Sequence, residues 1–209
     1  MSVCWTAVYI EATRIGFRER TYAIPIVALA LNFAWETIYG FCALLYYPER
    51  SQTWWILLWM LTDVGIIYTY FLYGRAEFPP FVTQSSFVAG SLLIFVVAFL
   101  LQTAFALEIY GPVGSINYSA FLQNALMSGS FIAMFVARGG NRGQSLTLAI
   151  CKFVGSLSPV LCLGGTSMYV ALVGSVIVVL DIIYICLLVY AKVVGGTLAV
   201  TPTASRLKI

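Results

Sequence analysis

The sequence predicts an all-α, polytopic membrane protein: a single domain, residues 1–209, built as a seven-transmembrane-helix bundle. The chain is 61% hydrophobic and 9% charged, whereas a soluble domain carries roughly 25% charged residues. Its mean hydropathy is +0.95, so lipid rather than water must cover most of its surface. A spanning helix needs about 20 residues, and seven of them with short loops use nearly the whole chain. We therefore exclude a soluble catalytic or nucleic-acid-binding module.

The predicted spans follow apolar stretches that are separated by loops rich in Pro and Gly. The first span is short and contains Glu11. Pro25 lies inside the second span and Pro159 inside the sixth, and we expect both to kink their helices. The predicted boundaries are 2–13, 21–47, 53–73, 86–107, 117–137, 145–163 and 168–191.

The basic residues test this layout. Nine of the eleven basic residues lie on one side of the seven-span layout, and the other side holds only Arg50. Lys152 lies inside the sixth span, where we expect it to snorkel toward the interface. The positive-inside rule then places the C-terminus in the cytoplasm and the N-terminus outside. The nine basic residues that share one side are Arg14, Arg18, Arg20, Arg75, Arg138, Arg142, Lys192, Arg206 and Lys208.

A weak internal repeat favours a duplication. Residues 14–21 match residues 138–145 at Arg, Gly, Arg and Ser/Thr positions. Spans three and seven each carry a mid-span aspartate, Asp63 and Asp181, and each ends in Tyr with a basic residue two positions later. This pattern predicts three helices, a linker helix and three more helices. A chance match of short basic loops is the alternative.

Three carboxylates lie deep inside the predicted spans: Glu36, Asp63 and Asp181. At about 1.5 Å per residue, each lies roughly 15–20 Å from the outer end of its helix. Ionisable residues in membranes usually face the bundle interior, so we expect the three to line one cavity. Because a low dielectric disfavours charge and neighbouring acids repel each other, at least one should be protonated at neutral pH and act as a proton donor.

Helical spacing places aromatic and amide side chains around these acids. Asn32 lies one turn from Glu36 and is expected to orient it. Aromatic faces stabilise cations without acting as nucleophiles, so an acid beside an aromatic wall suits carbocation chemistry, although helix packing or lipid contact is the plainer role for any single ring. The residues expected to bind substrate or orient an acid are Asn32, Phe33, Tyr39, Trp59, Asp63, Tyr70, Asn124 and Tyr184.

Three segments resemble a known family, the small integral-membrane terpene cyclases of fungal meroterpenoid and indole-diterpene pathways and of bacterial drimentine-type indole sesquiterpenoid pathways. The segments are Arg-Glu-Arg-Thr-Tyr at 18–22, the run 28–36 ending in Asn-Phe-Ala-Trp-Glu, and Asp-Ile-Ile-Tyr at 181–184. The resemblance implies seven helices and cyclisation of the prenyl tail of a diphosphate-free substrate. It also implies an acid pair that protonates an epoxide or an olefin, which by motif is Glu36 and Asp181.

The resemblance therefore predicts a lyase- or isomerase-type enzyme of secondary metabolism that acts on a lipophilic farnesylated indole alkaloid or meroterpenoid. The chain has no Asp-Asp-x-x-Asp motif, no Asp-x-Asp-Asp motif and no histidine, so we expect no cofactor, no metal and no nucleic-acid partner. Its five cysteines lie in or beside apolar stretches without paired spacing and are expected to be small buried hydrophobes. The short chain favours a bacterial plasma membrane, with the endoplasmic reticulum as the site if the source is fungal.

Three other functions are weighed against cyclisation. A small transporter of the three-plus-one-plus-three type would fit the internal repeat. A retinal protein needs a lysine at mid-depth of the last span, where this chain has Asp181. A non-catalytic partner subunit would tolerate neutralisation of all three buried acids.

Overall fold

The computed structural model describes residues 1–109 and 111–200, and helices are the regular secondary structure of this described part. Arg206 and Lys208, two of the basic residues used to orient the chain, lie outside the described residues. A short 3₁₀ helix, Gly74–Glu77, follows the third α-helix. The α-helices are α1 Ser2–Glu19, α2 Ile26–Tyr46, α3 Ser51–Tyr73, α4 Gln84–Glu108, α5 Gly111–Arg138, α6 Leu146–Leu163 and α7 Met168–Val200.

Six of these helices, α2 to α7, are long and apolar enough to cross a membrane. Helix α1 is not one of them, because four charged residues occupy its second half: Glu11, Arg14, Arg18 and Glu19. The described part therefore confirms a helical protein with six candidate spans. The seventh span and the orientation of the termini stay predictions.

Helix α1 continues to Glu19, six residues beyond the predicted end of the first span. Arg14 donates two hydrogen bonds to the carboxylate of Glu11, at 2.7 and 2.9 Å, so the charged turn stabilises the helix rather than ending it. The helix ends where Arg20 adopts a left-handed conformation with φ of 51°. Hydropathy predicts where a span ends and not where a helix ends, so the helix extends beyond the predicted span.

The two prolines expected to kink helices have different positions. Pro25 does not lie inside a helix: it is the N-cap of α2, with φ of −56°. A proline suits this place because its missing N–H would have no partner in the first turn. Pro159 lies inside α6, as predicted.

The main helix contacts have a two-fold pattern. Helix α3 packs against α1 and α2, and α7 packs against α5 and α6 in the same way. Between the halves, α1 contacts α6 and α2 contacts α5, while α4 packs against α2 and α5. Exchanging α1–α3 with α5–α7 maps the pairings among these six helices onto one another, whereas the pairings of α4 with α2 and α5 have no counterpart among the main contacts. The duplication with α4 as linker stays a prediction.

Helix α1 packs closely against α3 and α6 because each of the two contacts contains a glycine: Gly16 of α1 against α3, and Gly155 of α6 against α1. A Cβ atom added at Gly16 would lie 2.7 Å from Oγ1 of Thr69 on α3, and one added at Gly155 on α6 would lie 3.0 Å from the ring of Trp5. Small residues let helices in a membrane approach closely. The position of α1, and of the side chains it carries, depends on these contacts.

We predict that Gly16→Ala destabilises the protein, because the added methyl group must displace Thr69. Overpacking of this kind costs about 1–3 kcal/mol. Gly90→Ala is the matched control, because a Cβ atom there meets nothing within 4 Å. Thermal unfolding in detergent should show a lower midpoint for Gly16→Ala alone, and equal midpoints for the two variants would contradict the packing described for α1.

Candidate active site

A cavity of about 270 Å³ lies between α1, α2, α3, α5 and α6. Its wall combines one carboxylate with amides and aromatic rings, and Ile56, Phe121 and Leu163 add apolar surface. A small number of polar groups in an apolar pocket is typical of small-molecule sites. The polar and aromatic residues that line it include Trp5, Tyr9, Asn32, Trp35, Glu36, Trp59, Gln123 and Asn124.

Local helix geometry brings the central side chains together. Asn32 and Glu36 are four residues apart on α2, so they share one face. Trp5 and Tyr9 have the same spacing on α1 and face the same cavity. Each of the two helices thus contributes a pair of side chains one turn apart.

Four buried side chains form a hydrogen-bonded group that we call the acid cluster: Tyr9, Asn32, Glu36 and Asp63. Tyr9 Oη donates to Glu36 Oε1 at 2.5 Å. Asn32 Nδ2 lies 2.8 Å from Glu36 Oε1, 2.8 Å from Tyr9 Oη and 2.9 Å from Asp63 Oδ2. Because an amide nitrogen has only two hydrogens, one of them must be shared. The cluster therefore ties α1, α2 and α3 together through one amide.

The acid cluster has no counter-ion among the residues that the structure describes. Glu36 is 1% exposed and Asp63 is fully buried. Glu36 Oε2 and Asp63 Oδ1 have no hydrogen-bond partner within the described ranges. Burying two carboxylates without a cation is costly, and a proton on one of them removes a charge. Such a group can supply a proton at the cavity wall.

Asp181 lies in a different environment. Lys152 Nζ on α6 donates to Asp181 Oδ1 at 2.7 Å and to Ser128 Oγ at 2.7 Å. Both members of the ion pair are buried, and neither lines the cavity of Glu36. Of the three acids expected to line one cavity, only Glu36 does so; Asp63 is linked to it through Asn32, and Asp181 lies apart. The reason for the position of Asp181 is that α7 packs against α5 and α6 and contributes no residue to this cavity.

Lys152 also corrects the sequence analysis. It was expected to snorkel, but its side chain is fully buried. A buried ammonium is retained where a carboxylate and a further acceptor satisfy it, and here Asp181 and Ser128 do so.

The two halves carry matching polar groups. In the first, Asp63 on α3 accepts from Asn32 on α2, which also contacts Tyr9 on α1. In the second, Asp181 on α7 accepts from Lys152 on α6, which also contacts Ser128 on α5. The helices correspond under the exchange described above. The two polar groups differ in charge, since of their described side chains only Lys152 is a cation.

Two more of the predicted site residues line the cavity. Trp59 donates from Nε1 to Thr6 Oγ1 at 3.1 Å, and its ring forms part of the wall. Asn124 donates to Ser156 Oγ at 2.9 Å, and its Oδ1 is buried without a partner in the described part of the chain.

The remaining predicted residues lie outside this cavity. Tyr39 contacts Ser115 Oγ at 2.9 Å and lines a neighbouring cavity. Phe33 packs edge-on against two phenylalanines of α4, Tyr70 contacts Ser91 Oγ at 2.8 Å, and Tyr184 packs against Phe131. Helical spacing predicts which side chains lie nearby on the same helix. The contacts of these residues depend instead on the neighbouring helix that packs against them.

Sequence reasoning missed Tyr9, Trp5, Trp35 and Gln123 as cavity residues. Tyr9 is the most important, since it contacts Glu36 directly. It lies in the short first span, which received no site residues. The four-residue spacing of Trp5 and Tyr9, the same as that of Asn32 and Glu36, was the signal available in the sequence.

The chain is similar in sequence to known fungal terpene cyclases. The chain is 32% identical over 168 residues to the terpene cyclase atmB of Aspergillus flavus, which covers 77% of this chain and 65% of the relative. It is 33% identical over 163 residues to the terpene cyclase paxB of Penicillium paxilli, covering 75% and 63%. The chain thus spans less than two thirds of the length of these relatives. Both relatives are fungal and give no support to a bacterial source.

No solved structure matches the chain. The family model of Pyr4-like transmembrane terpene cyclases matches residues 1–193, nearly the whole length. Together with the membrane-spanning helices and the acid-bearing cavity, this match identifies the chain as a member of the Pyr4-like transmembrane terpene cyclase family.

Proposed function

We propose that this chain is a membrane-bound terpene cyclase that protonates the terminal alkene, or the epoxide, of a prenylated, diphosphate-free substrate. One observation carries the proposal: Glu36 lines the cavity while its Oε2 has no hydrogen-bond partner among the described residues. Its other oxygen is held by Tyr9 and Asn32. A neutral Glu36 would thus be fixed at one oxygen and free to donate a proton from the other.

The proposed reaction begins when Glu36 transfers its proton to the substrate. With an alkene, the proton forms a new C–H bond and leaves a tertiary cation. With an epoxide, it adds to the oxygen while a C–O bond breaks. Successive double bonds attack the cation and form the ring C–C bonds. The last cation returns a proton to the carboxylate of Glu36, or to Asp63, as a C–H bond breaks and a double bond forms, so substrate and product are isomers.

The cavity wall supports such a cation. The rings of Trp5, Trp35 and Trp59 line the same space as Glu36, and their faces stabilise positive charge without reacting with it. The indole N–H groups of Trp35 and Trp59 are bonded to Ser119 and Thr6, so both rings are fixed. A cavity between apolar helices also limits the water that would otherwise trap the cation.

We propose Asp63, rather than Asp181, as the acid that acts with Glu36. Asp63 shares the amide of Asn32 with Glu36, and no described cation neutralises it. Asp181 is the partner that the family resemblance implied, yet Lys152 pairs with it. In this proposal, Asp63 and Asn32 position Glu36 and keep it protonated, while Asp181 holds the second half of the bundle together.

We propose a farnesylated indole or a related meroterpenoid as the substrate class, on the basis of the family resemblance. The substrate would enter from the bilayer, since lipid surrounds the helices. No cofactor or metal takes part in the proposed steps.

The first prediction of this proposal is that Glu36→Gln lowers kcat by roughly 10²–10⁴-fold, the usual contribution of a general acid. Gln keeps the shape of Glu but cannot supply the carboxyl proton. The assay uses protein in lipid vesicles with a farnesylated indole, as alkene and as epoxide, in the presence of a chelator, and separates the isomeric products. Glu108→Gln, at the exposed end of α4, is the control and should keep wild-type activity.

A wild-type rate in Glu36→Gln would contradict the assignment of the acid. Uptake of unchanged substrate into the vesicles, with no cyclised product from the wild type, would favour the transporter instead.

The second prediction separates Asp63 from Asp181. Lys152→Met and Asp181→Leu each leave one buried charge unpaired, which costs about 3–5 kcal/mol. The double variant removes both charges, and replacing a buried ion pair with apolar side chains is often neutral or stabilising. We expect poor folding of each single variant, recovery of a folded double variant that still cyclises substrate, and a folded but slow Asp63→Asn variant.

A double variant that folds normally but is as inactive as Glu36→Gln would show that Asp181 acts in the reaction. An Asp63→Asn variant with wild-type kcat would remove Asp63 from the account.

A further inference from the structure

A second cavity, of about 330 Å³, adjoins the cavity of Glu36. We call the cavity of Glu36 the acid chamber. Its neighbour lies at the last turns of α2, from Tyr39 to Tyr46, and we call it the outer-turn chamber. The two share four lining residues, Gln52, Ile56, Ile116 and Asn117. We call these shared residues the neck, because they lie where the two chambers adjoin.

The chambers follow each other along α2. Asn32 and Glu36 line the acid chamber, while Tyr39, Cys42 and Tyr46 line the outer-turn chamber one to three turns later. Ten residues separate Glu36 from Tyr46, about 15 Å along the helix axis. A ligand that reaches from the acid to the end of α2 must therefore be elongated, as a prenyl chain joined to a ring is.

The two chambers differ in chemistry. The outer-turn chamber has no carboxylate among its lining residues, and it contains the rings of Tyr39, Tyr46 and Tyr47. Arg50 lies over the ring of Tyr47 with its guanidinium carbon 4.1 Å from the centroid. Tyrosine rings with a polar edge suit a flat partner that is apolar on its faces and polar at its rim. The prenyl tail has no such rim, whereas an aromatic head group does.

The neck contains two amide side chains that are available to bind a polar ligand. Gln52 on α3 and Asn117 on α5 line both chambers, and neither side chain makes a hydrogen bond to any described residue. By contrast, the other amides of the acid chamber, those of Asn32, Gln123 and Asn124, are hydrogen-bonded. Each free carboxamide offers an N–H donor pair and a carbonyl acceptor. Both groups line the neck, where the tail of a ligand that spans the two chambers would join its head.

We propose that the outer-turn chamber binds the polar aromatic head group of the substrate, with the carboxamides of Gln52 and Asn117 accepting from or donating to the rim of its ring. This assignment rests on the proposed cyclase function and adds the direction of binding. The tail lies in the acid chamber with its terminal double bond at Glu36, and the ring lies toward the end of α2. The neck then sets specificity by recognising the head group, while the acid chamber acts on the tail.

The test compares a farnesylated indole with its N-methyl derivative, which lacks the N–H donor. Equilibrium binding is measured in vesicles for the Glu36→Gln protein, which should bind without turnover, and again after adding Gln52→Leu or Asn117→Leu. We expect about tenfold tighter binding of the N–H probe than of the N-methyl probe, the effect of one hydrogen bond. At least one neck variant should reduce this ratio to near one.

Gln84→Leu is the matched control, because Gln84 is an exposed glutamine at the start of α4, outside both chambers. It should leave the ratio unchanged. The proposal is overturned if both neck variants keep the wild-type ratio, or if neither probe binds. Failure of the cyclase function has a different signature: the probes bind with the expected ratio, but wild-type protein forms no cyclised product.

Discussion

The arrangement of the first half of the molecule depends on a buried pair of carboxyl groups that share one amide. Glu36 and Asp63 both contact Asn32, and Tyr9 adds a hydrogen bond to Glu36. No described cation offsets these acids, so hydrogen bonds and, in the proposed function, a proton retained on Glu36 offset the cost of burial. Helix α1 matters for this reason. It is the one described α-helix that is not apolar enough to be a candidate span, yet its close packing through Gly16 brings Tyr9 to the acid.

The symmetry of the helix pairings explains why a second acid lies elsewhere. Asp181 occupies the position in α7 that Asp63 occupies in α3, and each accepts a hydrogen bond from the preceding helix of its own half. The difference is the donor. The amide of Asn32 is neutral and leaves Asp63 without a cation, whereas the ammonium of Lys152 neutralises Asp181. In the proposed function, the first half supplies the reactive acid and the ion pair stabilises the second half.

The sequence predicted the parts of the structure that depend on neighbours along one helix. The helices themselves, the shared face of Asn32 and Glu36, and the cavity position of Trp59 follow from composition and 3.6-residue spacing. The placement of Asp181, Lys152 and Tyr184 did not follow, because spacing along a helix does not reveal which helix packs opposite. Pro25 was placed inside a span for a related reason. An apolar run continues through it, and only the backbone shows that α2 begins after it. The role of Tyr9 did not follow either, because its partner Glu36 lies on another helix.

The central claim is that Glu36 is a neutral carboxylic acid inside the bundle, and infrared difference spectroscopy tests it directly. Spectra of the vesicle-bound wild type minus Glu36→Gln at neutral pH should contain the carbonyl stretch of a protonated carboxyl group, shifted in heavy water. The same band should cancel in the difference between wild type and Glu108→Gln. A difference spectrum that contains only the bands of an ionised carboxylate would show that Glu36 is charged, and it would contradict the account.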